Sequence, residues 1–281
     1  MATESQSLPR PIGHPVNQEL FHHPLARMLR FPKRLTIALF VIYVAALVWS
    51  YIGTKVDIPL FIDGLPFFMR FLRGLFPPDF GMMRELWTPL IQTVQMSIFG
   101  TTLAVVLSLP FGILAAKNLS PHPWVYQATR VALNINRALP DLVIALMFVA
   151  AVGLGPFPGV LAIAIGSIGF MAKMYAEAFE QINPRQVEAV RATGANGVQV
   201  AAYAVAPQAA PLVISYSLYL WEVNVRSATI LGLVGAGGIG LSLQTSMRLF
   251  QYQEVSVIVL SLVVMVTVID RISAYLRHKL T

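Results

Sequence analysis

Residues 35–52, LTIALFVIYVAALVWSYI, run for eighteen positions without a charged side chain. A helix rises about 1.5 Å per residue, so such a run nearly matches the roughly 30 Å hydrocarbon depth of a bilayer. Further apolar stretches, some with a few charges, return near 88–116, 124–153, 160–180, 255–272 and from Pro207 into the glycine-rich 232–240. In lipid, a helix is the one segment that closes its backbone hydrogen bonds without a neighbour. The chain is therefore expected to be an all-α polytopic membrane protein of about six transmembrane helices.

Composition supports this and excludes several other classes. Hydrophobic residues make up 56% of the chain and charged residues 12%, where soluble domains run near a quarter charged. Mean hydropathy is +0.67. A secreted disulfide scaffold, a disordered chain and a soluble enzyme do not fit. The absence of Cys removes thiolate catalysis, thiolate-bound zinc and disulfides.

Net charge is +7, from 20 Lys+Arg and 13 Asp+Glu. Basic residues flank spans on the cytoplasmic side, which accounts for the excess without nucleic acid. Arg27, Arg30, Lys33 and Arg34 precede the first run and put the 1–34 tail in the cytoplasm. SYIGTKV offers no small-residue cleavage site, so 35–52 is expected to be an uncleaved additional anchor. In 53–87, Lys55, Arg70, Arg73 and Arg84 balance Asp57, Asp63, Asp79 and Glu85. That segment is expected outside, with FFMRFLRGLF lying in the interface before a PPDF turn. Six spans return a short 276–281 tail to the cytoplasm, with Lys117, Arg185, Arg191, Arg271, Arg277 and Lys279 also inside. The core is 88–275.

The most informative stretch is INPRQVEAVRATGANGVQVAAYAVAPQ, residues 182–208. Asn183 can cap a helix, Pro184 suits its first turn and Gln186 can complete a capping box. Gly194 is placed to end it in the left-handed conformation. Arg185, Glu188 and Arg191 share one face. A helix of about ten residues is too short to stand alone in water, so it needs a surface to dock on.

Glu188, Ala189, Gly194 and Pro207 resemble the E-A-A-x-x-x-G-(nine residues)-I-x-L-P loop of binding-protein-dependent ABC importer permeases. In that family the loop is a coupling helix seated in a groove of the ATPase subunit. Val190, Ala204 and Ala206 depart from the pattern but stay small or apolar. Further, NLSPHPWVYQ, FVAAVGLGPFPGVLA, EAVRATGAN, LFPPDF and PLVISYSLYLWEVNVRSATILGLVGAGGIG are similar to the phosphonate-importer permease family over about residues 75–275. The resemblance implies a type I importer core in a bacterial inner membrane, carrying phosphonate, with phosphite or another phosphorus oxyanion as the alternative. It implies a pore made with a second copy of the chain, two ABC ATPase subunits inside and an extracytoplasmic phosphonate-binding protein. The chain is then a transport subunit and not an enzyme. It would bind no cofactor itself, Mg-ATP being used by the partner.

Gly235, Gly237 and Gly240 spell G-x-G-x-x-G, with Gly238 between them. A dinucleotide site there would make a membrane oxidoreductase. That motif needs a βαβ unit and an acid about 20 positions on, whereas Glu254 comes too early. A tight re-entrant turn on the outer side, with close backbone approach across a dimer axis, is the preferred reading. No Walker A motif occurs, so ATP must be handled elsewhere. An ion-driven transporter would show inverted repeats, and no convincing pair is visible.

Charges inside spans point to a path. Arg130, Asn134, Arg137 and Asp141, at steps of 4, 3 and 4, are expected to form one stripe down the third helix. Glu222 and Arg226 are an i,i+4 pair with Asn224 between them, expected in the outer half of the fifth span. Lys173, Glu177 and Glu180 mark the inner end of the fourth. His14, His22, His23, His122 and His278 sit in tails and loops and define no metal site.

Overall fold

A computed structural model describes residues 33–280, the side chains of Lys33 and Leu280 excepted. Most of the 1–34 tail, with His14, His22 and His23, lies outside the described residues. The chain divides into two compact units, residues 1–66 and 67–281.

In the first unit, α1 (Lys33–Thr54) is one uninterrupted helix over the long apolar run. Phe40, Trp49 and Ile52 are 65%, 80% and 68% exposed, and none of the described residues of α1 is buried. A helix that is apolar on every side, with no protein over it, belongs in lipid. The next helix, α2 (Ile58–Gly74), starts where the Asp57 carboxylate accepts the Leu60 N–H at 2.9 Å. It passes the unit boundary at Pro66 and ends in the Arg-bearing FFMRFLRG stretch, where Arg70 lies 4.4 Å over the Phe67 ring.

The second unit opens with a single tight turn at Phe80–Met82, held by Asp79 accepting the Gly81 N–H at 2.9 Å. The helices that follow are α3 (Met83–Ala115), α4 (Pro123–Ala138), α5 (Asp141–Val152), α6 (Pro156–Glu180) and α7 (Pro184–Ala192). After them come α8 (Gly197–Val200), a wide π turn over Ala201–Val205, α9 (Ala206–Gly232), α10 (Gly238–Arg248) and α11 (Tyr252–Leu280). No strand occurs among the described residues.

Helix α6 is the axis of this unit, touching α3, α4, α5 and α9. Small residues let α3 come close: a Cβ on Gly100 would meet Ile163 at 2.8 Å, and one on Gly112 would meet Tyr175 at 2.8 Å. Without a hydrophobic force between helices in lipid, such close contact is what holds them. Met171, Ala172 and Tyr175 are fully buried there, and the Tyr175 hydroxyl is satisfied by Ser217 at 2.6 Å.

Among the described residues, five helices are long and apolar enough to cross a membrane, and α4 with α5 makes a sixth span only as a bent pair. The expectation of one straight helix over 124–153 is therefore corrected: α4 and α5 meet at 83°. Pro140 has no N–H to give, and it pushes the residue before it out of the helical region. Leu139 sits at φ −83°, ψ 122° and Pro140 at ψ 138°, both extended. The fifth span also starts earlier than Pro207, at Gly197, and absorbs the π turn on its way.

Candidate functional site

The loop between α6 and α9 folds as its residues dictate. Asn183 accepts the Arg185 N–H at 3.0 Å, Pro184 takes the first turn, and Gly194 adopts φ +83°. The capping box expected with Gln186 forms elsewhere. The Asn183 N–H donates to Gln208 Oε1 at 2.8 Å, tying the start of α7 to α9. The reciprocal box belongs to Asn196 and Gln199, at 2.9 Å each way.

Val187 packs against the core cluster, while Arg185, Glu188, Ala189, Arg191, Gly194 and Pro207 are exposed. The three charged members of this set make no ion pair among the described residues. Beside them, Ala189, Thr193, Gly194, Gln199 and Tyr203 line a cleft of about 630 Å³. Tyr203 is 73% exposed at its edge. An apolar inner face and a charged outer face beside a concavity suit a docking element.

Glu222 and Arg226 do pair, at 3.5 Å, but within a longer chain of charges. Arg226 also reaches Asp270 at 3.5 Å, and Glu222 accepts from Arg277 at 3.0 Å. The order Asp270–Arg226–Glu222–Arg277 stitches α9 to the C-terminal part of α11. The pair therefore lies beside the C-terminal part of α11. Sequence reasoning missed Asp270 and Arg277 as partners.

Asn224, 4% exposed, is a buried junction. Its amide donates to Thr101 at 2.9 Å and its oxygen accepts from Ser167 at 3.2 Å, joining α9, α3 and α6. One turn away, Trp221 Nε1 donates to Ser97 at 3.2 Å.

The glycine-rich segment is a turn between α9 and α10, with Gly235, Gly237 and Gly238 all at positive φ. Two of its N–H groups bond α3: Gly238 donates to Gln92 Oε1 and Ile239 to Thr93 Oγ1, each at 2.8 Å. A Cβ on Gly240 would fall 1.9 Å from the Thr229 carbonyl oxygen, so only Gly lets α9 and α10 meet. The close approach is within one chain, and the four motif glycines are buried.

Three of the four residues of the expected polar stripe, Arg130, Asn134 and Arg137, lie on α4. Arg130 pairs with Glu180 at 3.1 Å and donates to the Ala115 carbonyl at 3.2 Å. Glu180 also accepts the Lys117 N–H at 2.8 Å, so it fastens three elements. Asn134 accepts from the Lys173 ammonium. Asp141 lies past the bend, at the first position of α5, and leaves the stripe. Asn136, unnoticed in the sequence, bonds the Gly169 N–H and the Ile165 carbonyl of α6. The bend brings Arg137, Asp141 and Asn224 to the wall of one cavity.

The family described as binding-protein-dependent transport system inner membrane component matches residues 108–281. The phosphite transport system permease protein PtxC of Stutzerimonas stutzeri is 45% identical over 227 residues, 81% of this chain and 82% of that one. A protein of Escherichia coli strain K12 named as a permease of a cryptic phosphonate transport system, PhnE2, is 48% identical over 117 residues. That match covers 42% of this chain and 96% of PhnE2. Among solved structures, the inward-facing MetNI methionine ABC transporter aligns with a TM-score of 0.64 at 21% identity. It covers 72% of this chain and 99% of the solved one, a likeness of fold.

Proposed function

This chain belongs to the family of binding-protein-dependent transport system inner membrane components, and from that membership we propose how it works. It is a multi-pass membrane permease of an ABC importer, a transport protein, and its cargo is phosphonate. The name of PtxC keeps phosphite as the close alternative. Both are small tetrahedral phosphorus oxyanions, and an extracytoplasmic binding protein makes the choice between them.

The observation that carries the mechanism is α7: a short exposed helix, closed by Gly194 and set between two spans. ATP is hydrolysed on a separate subunit, two copies of which grip the α7 helices of a permease dimer. When the ATPase pair closes on Mg-ATP, α7 moves with it, and the attached spans tilt the pore toward the binding protein. This chain binds no cofactor of its own. Both termini lie on the ATPase side of the plasma membrane.

The test is uptake by cells that express the permease with its ATPase and binding protein. Phosphonate uptake that requires all three supports the reading. Uptake without the ATPase, or only of another solute class, overturns it.

A further inference from the structure

The cavity at the α4–α5 bend carries chemistry that a bare conduit does not need. It measures about 310 Å³, and its wall includes Arg137, Asp141, Ser167, Tyr219, Asn224 and Ser227. A water takes up about 30 Å³, so a small oxyanion with a short substituent fits along with several waters.

Arg137 makes no hydrogen bond or ion pair with any described residue. Its stem is held in place, since a Cβ on Gly169 would come within 2.8 Å of Arg137 Cγ. Lys173 and Arg130 lie within electrostatic reach of each other, and Lys173 within that of Arg137. Arg130 is answered by Glu180, and Lys173 has Glu177 near and Asn134 as acceptor. Arg137 is the one of the three cations for which the described residues supply neither an ion-pair partner nor a hydrogen-bond acceptor.

Asp141 faces the same space. Gly166 makes room for it, because a Cβ there would stand 2.8 Å from Asp141 Oδ1, and Ser227 stands on the same wall. An ionised carboxylate only accepts hydrogen bonds. It repels a bare anionic oxygen but welcomes one that bears a proton. Asn224 has both ends of its amide engaged and stiffens the wall. The Tyr219 hydroxyl remains for a ligand.

We propose that this cavity is a binding site within the permease for a phosphorus oxyanion that keeps one acidic proton, Arg137 holding its ionised oxygens and Asp141 accepting its P–O–H. The site deepens the importer reading and rests on it. It adds a second selection step after the binding protein, directed against aprotic anions of similar size such as sulfate. The rejection is electrostatic, a carboxylate facing an oxygen with no proton to share.

The test uses the assembled complex of permease and ATPase subunits in lipid nanodiscs, without binding protein, near neutral pH. The probes are radiolabelled phosphite and methylphosphonate, with sulfate as competitor. Wild type should bind them saturably, with sulfate at least about tenfold weaker. Arg137→Gln should weaken binding at least about tenfold while Arg137→Lys stays within about threefold. Asp141→Asn should bring sulfate level with phosphite. No saturable binding by wild type, equal binding by Arg137→Gln, or sulfate competing as well as phosphite overturns the site. Should Arg137→Gln fail to assemble, the sulfate comparison between wild type and Asp141→Asn decides. ATP hydrolysis stimulated by loaded binding protein is measured on the same wild-type complex. Absence of stimulation overturns the importer reading, whereas stimulation without anion binding overturns only this site.

Discussion

The side-chain oxygen of Asn136 accepts the backbone N–H of Gly169 at 2.8 Å. The same amide donates to the Ile165 carbonyl at 3.1 Å, four residues back along α6. Those two backbone groups are the ones a regular helix joins to each other. The amide of α4 thus bridges one turn of α6, and it fixes the register of the two helices where Arg137 and the bend begin.

Gly169→Ala is expected to harm the complex more than Asn136→Ala. The new Cβ would stand 2.6 Å from Asn136 Oδ1 and 2.8 Å from the Leu133 carbonyl, and that backbone atom cannot yield cheaply. Overpacking of this kind costs about 1–3 kcal/mol. Losing the amide costs less, because the freed groups of α6 can bond each other. Thermal unfolding in detergent should show the order, and the double variant should be less than additive.

Glu222→Gln should destabilise more than Asp270→Asn. Glu222, with a side chain 14% exposed, answers two arginines, while Asp270 answers one and is 39% exposed. About 1–3 kcal/mol is expected for the first, and under about 1 kcal/mol for the second, which solvent screens. The double change Glu222→Gln with Arg226→Gln is not expected to restore stability, because Arg277 shares the same carboxylate. Recovery to wild-type melting in the double variant would show that the chain of charges acts as an isolated pair.

Gly194→Val should abolish uptake while leaving membrane insertion unchanged, and Gly194→Asn should be milder. No atom lies within 4 Å of a Cβ at this position, so the penalty is purely conformational, at φ +83°. A left-handed conformation costs an ordinary residue about 1–2 kcal/mol, and Asn less. Glu188→Lys should also uncouple transport by reversing a docking charge. Equal uptake by the Val variant at equal expression would remove α7 from the coupling step.

Gly240→Ala is expected to prevent stable assembly. A Cβ at 1.9 Å from the Thr229 carbonyl would force α9 and α10 apart, and both are packed through buried residues. Yield of folded protein after membrane extraction measures this. Wild-type yield would mean that the two helices separate easily.

Topology is checked by single cysteines at Lys55 and Lys279 in a chain without native Cys. Both sites are exposed, and Lys279 avoids the ion pair that occupies Arg277. An impermeant thiol reagent on whole cells should label the first and spare the second. Labelling at Lys279 would reverse the assignment of the C-terminus.

What the sequence revealed was local. The apolar run of α1, the Asn183–Pro184 start and the Gly194 stop of α7 are each decided by neighbouring residues, and each could be read directly. The bend was also legible in Leu139–Pro140, but the helical spacing of polar residues on both sides masked it. Asp270 and Arg277 were not legible as partners: they stand 44 and 55 positions from the residues they bond. No periodicity encodes such pairings, and they emerge only when α9 and α11 are packed. Asn136 was missed for the same reason, since its acceptor and donor lie on another helix.

The 83° bend also sets a thickness. Helix α5 has twelve residues, so it is about 18 Å long. Helix α4, rich in Asn and Arg, turns away from it instead of extending it. Wherever this flank meets lipid, α5 alone offers a hydrophobic belt well short of the usual 30 Å or so. Lipid there must thin, or a second chain must cover the gap. Transport in vesicles should therefore fall as acyl chains lengthen, making this edge of the permease a gauge of the membrane around it.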